Sequence, residues 1–453
     1  MPDRPNFRVA VVGSGPAAMY AVDHLLEHAG ARFQVDLIER LPTPWGLVRS
    51  GVAADHPEKK GIIDRHFAHL LRNERVRYFG AITVGDQIGV DELSQWYDAV
   101  IYAVGADADA KLGIPGEDLH NSIGARDFVA WCNGHPDFSH LKPDLSAQRA
   151  VIVGNGNVAL DVARLLLSPI SRLAKTDLAD HALDALRTSQ IEEVVILGRR
   201  GAEHAAFNAP ELEEFLELPQ VDVSADQRAI AQARIAVCDG GSASSLRKLD
   251  LLDRLSARPL SGGRRLRFEF RTSPVAILGA ERVEAVVLDN DAQSRSPHSA
   301  SETDRSRLEA GLVIRSCGYL REAFPGLPFD PIRNVIANHA GRIHSNDIPV
   351  PGAYVTGWAK RGCKGIIGTN RKCAAETVAK LIEDIETGLL RSKGIAGDAI
   401  EAILRKHSPS LVTRSGWDRI DRSERDAGRR ASRPRVKIVD HDELLCVAQS
   451  ALT

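Results

Sequence analysis

The sequence predicts an α/β fold made of two Rossmann-like dinucleotide-binding domains, the second inserted in the first, and three observations predict it. Short β-branched runs alternate with longer helix-like stretches, as in parallel sheets covered by helices. A strand–glycine turn–helix unit occurs twice, as VAVVGSGPAAMYA (Val9–Ala21) and VIVGNGNVALDVAR (Val151–Arg164). Each unit is followed later by a strand that stops at a glycine, Ala99–Val104 before Gly105 and Leu312–Ser316 before Gly318. Crossings at those glycines divide the chain into residues 1–106, an inserted domain 107–319, and a returning part 320–453 with a C-terminal extension.

The elements follow in order. Arg8–Val12 reads as a buried strand, Pro16–His28 as a helix and Gln34–Ile38 as the second strand. In the inserted domain, Ala150–Val153 is a strand, Asn157–Leu167 a helix and Glu193–Leu197 a strand. The polar run Asp289–Ser306 reads as an exposed loop. Asn370–Glu386 reads as a helix, and charged helices beyond Leu390 lead to a basic segment, GRRASRPRVK.

Composition narrows the function. With 58 Lys+Arg against 60 Asp+Glu in 453 residues, the chain has no global field for nucleic acid or an anionic membrane. The basic segment near the C-terminus lacks the interleaved aromatics of a nucleic-acid site. Six scattered cysteines form no C-x2-C or C-x4-C, so a disulfide framework, a metal site and a dithiol relay are not expected. The first strand begins by Phe7, leaving no room for a leader, and no apolar stretch has membrane length, so a soluble cytoplasmic protein is expected.

In the first turn, Gly13, Gly15 and Ala18 fit G-x-G-x-x-A. Gly13 permits the tight turn, Gly15 a close approach of backbone to a pyrophosphate, and Ala18 helix–strand packing. Glu39, at the end of the next strand, is placed to accept ribose hydroxyls. The second turn repeats the pattern with Gly154, Gly156 and Ala159, but its next strand ends in Arg199 and Arg200. Two guanidiniums suit a 2′-phosphate and argue for NADP over NAD.

These segments, with LPTPWGLVRSGVAADHPEKK (Leu41–Lys60), GRRG and AAFNAPEL (Gly198–Leu212) and GWAKRGCKGIIGTN (Gly357–Asn370), resemble the adrenodoxin reductase-type ferredoxin–NADP reductases. The resemblance covers nearly the whole chain. It implies FAD in the first domain, held by Ala18, Glu39, Leu47, Ile82, Trp358 and the Gly365–Ile366–Ile367 backbone. It implies NADP held by Asn155, Gly156, Asn157, Arg199, Arg200, Glu211 and Gly365, and electron delivery to a ferredoxin-type iron–sulfur protein. The chain departs from the family's usual pattern at Ala54, Ala202, His204, Cys363 and Lys364, changes that bear on the fine geometry near the nicotinamide and on the electron acceptor.

Given that resemblance, the glycines of Gly365–Gly368 let nicotinamide approach the flavin, and the following helix offers N–H groups to negative charge on the reduced ring. His56 and Asp161 are the candidates for handling a proton, a structural role being the alternative for each. Arg247–Arg271 holds eight basic residues against three acidic ones and is the candidate docking surface for an acidic iron–sulfur partner. The competing readings are a non-catalytic NADP-sensing flavoprotein and a flavin electron-transfer subunit of another oxidoreductase.

Overall fold

The computed structural model describes residues 6–106, 108–238, 242–290 and 305–450. Its described residues form two compact units. The first is drawn from Met1–Val52, His56–Ala108 and Tyr319–Thr453, the second from Ala53–Asp55 and Asp109–Gly318. The sequence reading has no counterpart for the assignment of Ala53–Asp55 to the second unit.

In the first unit, an eight-stranded sheet has Asn6–Val12 near its centre, flanked by Ala99–Tyr102 and Arg32–Ile38. Ile348–Val355, Ala99–Tyr102, Asn6–Val12, Arg32–Ile38 and Val76–Gly80 pair in parallel, in that order. Val9, Ala10 and Val11 are buried on both faces of the sheet, which is why these strands read as continuous apolar runs and not as alternations. Antiparallel strands close both edges, Arg342–Ser345 and then Asn338–His339 on one side and Val412–Thr413 on the other. The helix Pro16–Glu27 opens with Pro at its first position, where a missing N–H costs nothing, and packs on the helix Thr369–Glu386.

The second unit is a six-stranded, wholly parallel sheet ordered Ser122–Gly124, Leu312–Arg315, Arg149–Val153, Glu193–Gly198, Arg264–Phe270, Val221–Ala225. A separate antiparallel sheet joins Thr272–Leu278, Ala285–Asn290 and Arg305–Glu309. The expected loop Asp289–Ser306 is therefore strand at both ends, and residues 291–304 lie outside the described residues. Arg264–Phe270 also corrects the sequence reading, which took it only as part of a basic run. Leu266, Phe268 and Phe270 alternate inward while arginines alternate outward, the period of a half-buried strand.

The basic segment near the C-terminus turns inward. Glu424, fully buried on the helix Arg414–Arg430, accepts from Arg49 Nη1 and Nη2 at 2.9 and 2.5 Å and from Arg435 Nη1 at 2.6 Å. Burial alone would raise its carboxyl, but Arg49 and Arg435 outweigh that and hold it below the usual range.

The second unit has a comparable buried charge. Arg164, with no exposed side-chain surface, meets Asp55 Oδ2 at 2.5 Å, Asp161 Oδ1 at 2.6 Å and Glu214 Oε2 at 2.6 Å. Burial would lower its guanidinium; the Asp55 hydrogen bond and the three carboxylate charges raise it instead. Replacing Arg164 by Met removes the guanidinium that all three carboxylates meet. The expected loss is about 3–5 kcal/mol of unfolding free energy by chemical denaturation, the cost of breaking a buried ion pair by removing one partner. A loss within the range of ordinary surface substitutions would show that the cluster is solvated.

Candidate functional site

Each unit presents a glycine turn at the carboxyl end of its parallel sheet. Gly13 has φ +95°, and a Cβ there would stand 2.6 Å from the Ala103 carbonyl oxygen. Gly154 has φ +112°, with the Ser316 carbonyl oxygen 2.2 Å from a would-be Cβ. These first glycines are demanded by the fold itself. The second glycines are different, since a Cβ on Gly15 or on Gly156 meets no atom of the protein within 4 Å. Space kept open above a helix N-terminus, with free N–H groups below it, is the geometry that admits a pyrophosphate.

Behind the first turn, Glu39 Oε2 accepts from Ser14 N at 3.0 Å and Ser14 Oγ at 2.5 Å, and Oε1 accepts from Leu41 N at 3.1 Å. Ser14 Oγ in turn accepts from Trp45 N at 3.3 Å. A carboxylate offers about four acceptor sites, so a lone pair remains for a ribose hydroxyl. Ser14 was not singled out in the sequence; its position between the two motif glycines was the available signal. Ala18 is fully buried and packs, as its place in the motif requires. Ile82 is buried and donates its N–H to the Glu39 carbonyl, while Leu47 stands partly exposed on the short helix Leu47–Ser50.

The loop before the helix Thr369–Glu386 belongs to the same unit. Trp358 is half-buried and stacks on Tyr319 with centroids 5.6 Å apart. Gly365 has φ +92°, Ile366 is 68% exposed, and its N–H is held by Thr369 Oγ1 at 3.2 Å. Lys360, buried beneath this loop, ties it to the helix through Glu376 and Thr377 at 2.6 and 3.1 Å.

In the second unit the turn is tied to the AAFNAPEL segment. The Asn155 carbonyl accepts from Phe207 N at 2.9 Å, and Asn157 Oδ1 accepts from Asn208 N at 2.7 Å. Glu211 follows on that segment with a buried Oε2 that has no donor among the described residues. Arg199 and Arg200 are exposed, and neither guanidinium has a partner among the described residues. Two free cations and an open glycine fit a phosphorylated dinucleotide. Cys317, beside this turn, is exposed and donates to the Val153 carbonyl.

The two proton candidates sit in different units. His56 is buried with Nδ1 2.6 Å from Glu58 Oε1. Asp161 is held by Arg164, so its first role is in the buried charge cluster and not at a helix dipole. The basic run Arg247–Arg271 is also partly spent inside the protein. Arg247 pairs with Glu213, Lys248 donates to the Ala205 carbonyl, Arg258 to Phe215, Arg264 to Leu166, and Arg267 to Glu269. Arg254 and Arg265 remain exposed without partners among the described residues.

Two parallel-sheet units, each with a dinucleotide turn and one with a carboxylate where the other has arginines, define a pyridine-nucleotide flavoprotein oxidoreductase. Residues 7–214 match the pyridine nucleotide-disulphide oxidoreductase family. NADPH-ferredoxin reductase FprA of Mycobacterium tuberculosis is 45% identical over 98% of this chain and 99% of that protein. The mitochondrial NADPH:adrenodoxin oxidoreductase of Arabidopsis thaliana is 40% identical over 97% of this chain and 95% of that one. The solved structure of M. tuberculosis FprA in complex with NADPH superposes with a TM-score of 0.92 at 44% identity, covering 99% of this chain and all of that one. The chain belongs to the adrenodoxin reductase-type ferredoxin–NADP reductase family, whose members bind FAD and NADP(H).

Because nothing in the protein opposes a side chain at Gly15, a Gly15→Val chain should fold and yet exclude the flavin. The expected product has parental far-UV circular dichroism and no bound FAD by absorbance. Stoichiometric flavin in the purified variant would move the pyrophosphate elsewhere.

Proposed function

We propose that this protein carries electrons from NADPH through FAD to a ferredoxin-type iron–sulfur protein. The observation that carries the reading is the contrast between the strand ends behind the two open glycines, Glu39 in one unit and the unpartnered Arg199 and Arg200 in the other. The chemistry FAD supplies when bound is acceptance of a hydride and release of electrons one at a time.

The chain's own residues bind and orient. Gly13, Gly15 and Glu39 take the pyrophosphate and ribose of FAD, with Leu47, Ile82 and Trp358 as apolar contacts. The Gly365–Ile366–Ile367 backbone leads into a helix whose N-terminus favours negative charge. Gly154, Asn155, Gly156 and Asn157 shape the NADP turn, Arg199 and Arg200 hold the 2′-phosphate, and Glu211 offers its orphaned oxygen to a donor such as the carboxamide. His56, oriented by Glu58, is the better placed of the two proton candidates, since Asp161 is occupied by Arg164. Docking of an acidic partner on Arg247–Arg271 rests on Arg254 and Arg265, because most of their basic neighbours have intramolecular partners and burial pulls the Lys248 ammonium down. A cytoplasmic location fits six free thiols; among the described residues no helix is long and apolar enough to cross a membrane.

Anaerobic titration with NADPH should bleach the flavin, and added ferredoxin should raise NADPH-dependent cytochrome c reduction. Binding of NADPH without bleaching would favour the sensor reading. Steady-state kinetics should show NADPH preferred over NADH by roughly 10–1000-fold in kcat/KM, from charge-assisted hydrogen bonds of about 1.5–3 kcal/mol each before desolvation. The preference should lie in KM, because the phosphate is remote from the transferred hydride. Arg199→Ala/Arg200→Ala should abolish most of it with little change in kcat at saturating NADPH. Arg254→Glu/Arg265→Glu should raise KM for ferredoxin at low salt, an effect that fades as salt screens it.

A further inference from the structure

The FAD-side turn is braced from a distant part of the chain. Gly46 lies so close to Gly15 that a Cβ on it would stand 3.0 Å from the Gly15 Cα, and Trp45 donates its N–H to Ser14 Oγ. Trp45 and Gly46 both have positive φ, +89° and +49°, which is ordinary for a glycine but strained for Trp45 and persists there only where its surroundings impose it. Phe67 stacks on the Trp45 ring at 6.3 Å, and the rest of those surroundings comes from residues 414–438. Trp417 meets the Trp45 ring edge-to-face at 6.2 Å and lies under the Arg49 guanidinium at 5.5 Å. Glu424 grips Arg49 with both oxygens, and Lys437 Nζ donates to the Arg49 carbonyl at 3.3 Å. Glu424 is itself fixed by Arg435 and by Ile438 N at 3.0 Å, and Arg435 also reaches Asp421 Oδ1 at 2.7 Å. Trp417, Ile420, Glu424 and Gly428 form one buried helix face. The charged atom on that face is therefore aimed at the loop that abuts the glycine turn.

We infer that Glu424 is a positioning residue for FAD. Through the two-pronged contact with Arg49 it holds the Trp45–Ser50 segment against Gly15, so the width of the pyrophosphate slot is set by the C-terminal segment as well as by the turn itself. Arg435 and Lys437, which in sequence look like a solvated basic tail, complete this clasp. The role rests on placement of FAD at the Gly13–Ala18 turn, which the Gly15→Val variant tests separately.

The test uses full-length holoprotein carrying Glu424→Gln, which keeps volume but loses the charge and one acceptor, and Arg49→Lys, which keeps charge but loses the planar fork. Three quantities are followed: FAD release from dilute holoprotein by the rise in flavin fluorescence, visible circular dichroism of the bound flavin, and unfolding by far-UV circular dichroism on heating. Positioning predicts release faster by about tenfold or more, the effect of losing a charge-assisted hydrogen bond. It also predicts an altered visible dichroism at temperatures where the fold is intact, so that flavin leaves well below the unfolding transition. A purely structural Glu424 predicts that flavin release and unfolding shift together, with parental dichroism until the chain melts. That outcome, or parental release rates in both variants, overturns the inference. If Glu424→Gln does not accumulate as folded protein, Arg49→Lys decides.

Discussion

Both units depend on one steric constraint, a left-handed glycine lying directly beneath the carbonyl oxygen that follows a neighbouring strand. At Gly13 that oxygen belongs to Ala103, just beyond Ala99–Tyr102; at Gly154 it belongs to Ser316, just beyond Leu312–Arg315. Any Cβ would collide with the main chain, which cannot swing aside as a side chain would. The collision-free turn brings the helix start over the end of the sheet, where the next glycine faces open space. Strand order, helix placement and the ligand slot thus follow from two hydrogen atoms in place of two methyl groups.

What differs between the units is the residue brought up behind the turn. Glu39 is bound back to Ser14 and Leu41, so its negative charge is built into the turn before any ligand arrives. Among the described residues nothing holds the Arg199 and Arg200 guanidiniums, which keep their capacity for an anion. One unit thus presents a fixed acceptor behind its turn, the other a pair of mobile cationic donors.

Local patterns made most of this legible in the sequence. The strand Asn6–Val12, the helix Asn157–Leu167 and the helix Thr369–Glu386 were readable to within two residues because apolar runs and glycine turns are contiguous signals. Arg264–Phe270 was missed because its alternating arginines masked a period of two. The buried charges were illegible for a different reason. Arg49 and Glu424 are 375 residues apart, and Arg164 and Asp55 are 109 apart, so no window of sequence contains both members of either pair. Each looks, on its own, like an ordinary surface charge, and Arg435 stands in a run of basic residues. Only the partner reveals which charges are interior.

The discontinuous sheet of the first unit has a consequence for synthesis. Its central strands lie between residues 6 and 102, yet the strand that covers Ala99–Tyr102 is Ile348–Val355, and the edge strand beside Val76–Gly80 is Val412–Thr413. A ribosome must therefore make more than three-quarters of the chain before the half-built sheet can be closed. Meanwhile the second unit, nearly all of it contiguous from Asp109 to Gly318, has every strand of its parallel sheet in hand. The nascent chain thus carries exposed, unpaired strand edges of the flavin unit throughout the making of the other, a standing demand on chaperones during elongation.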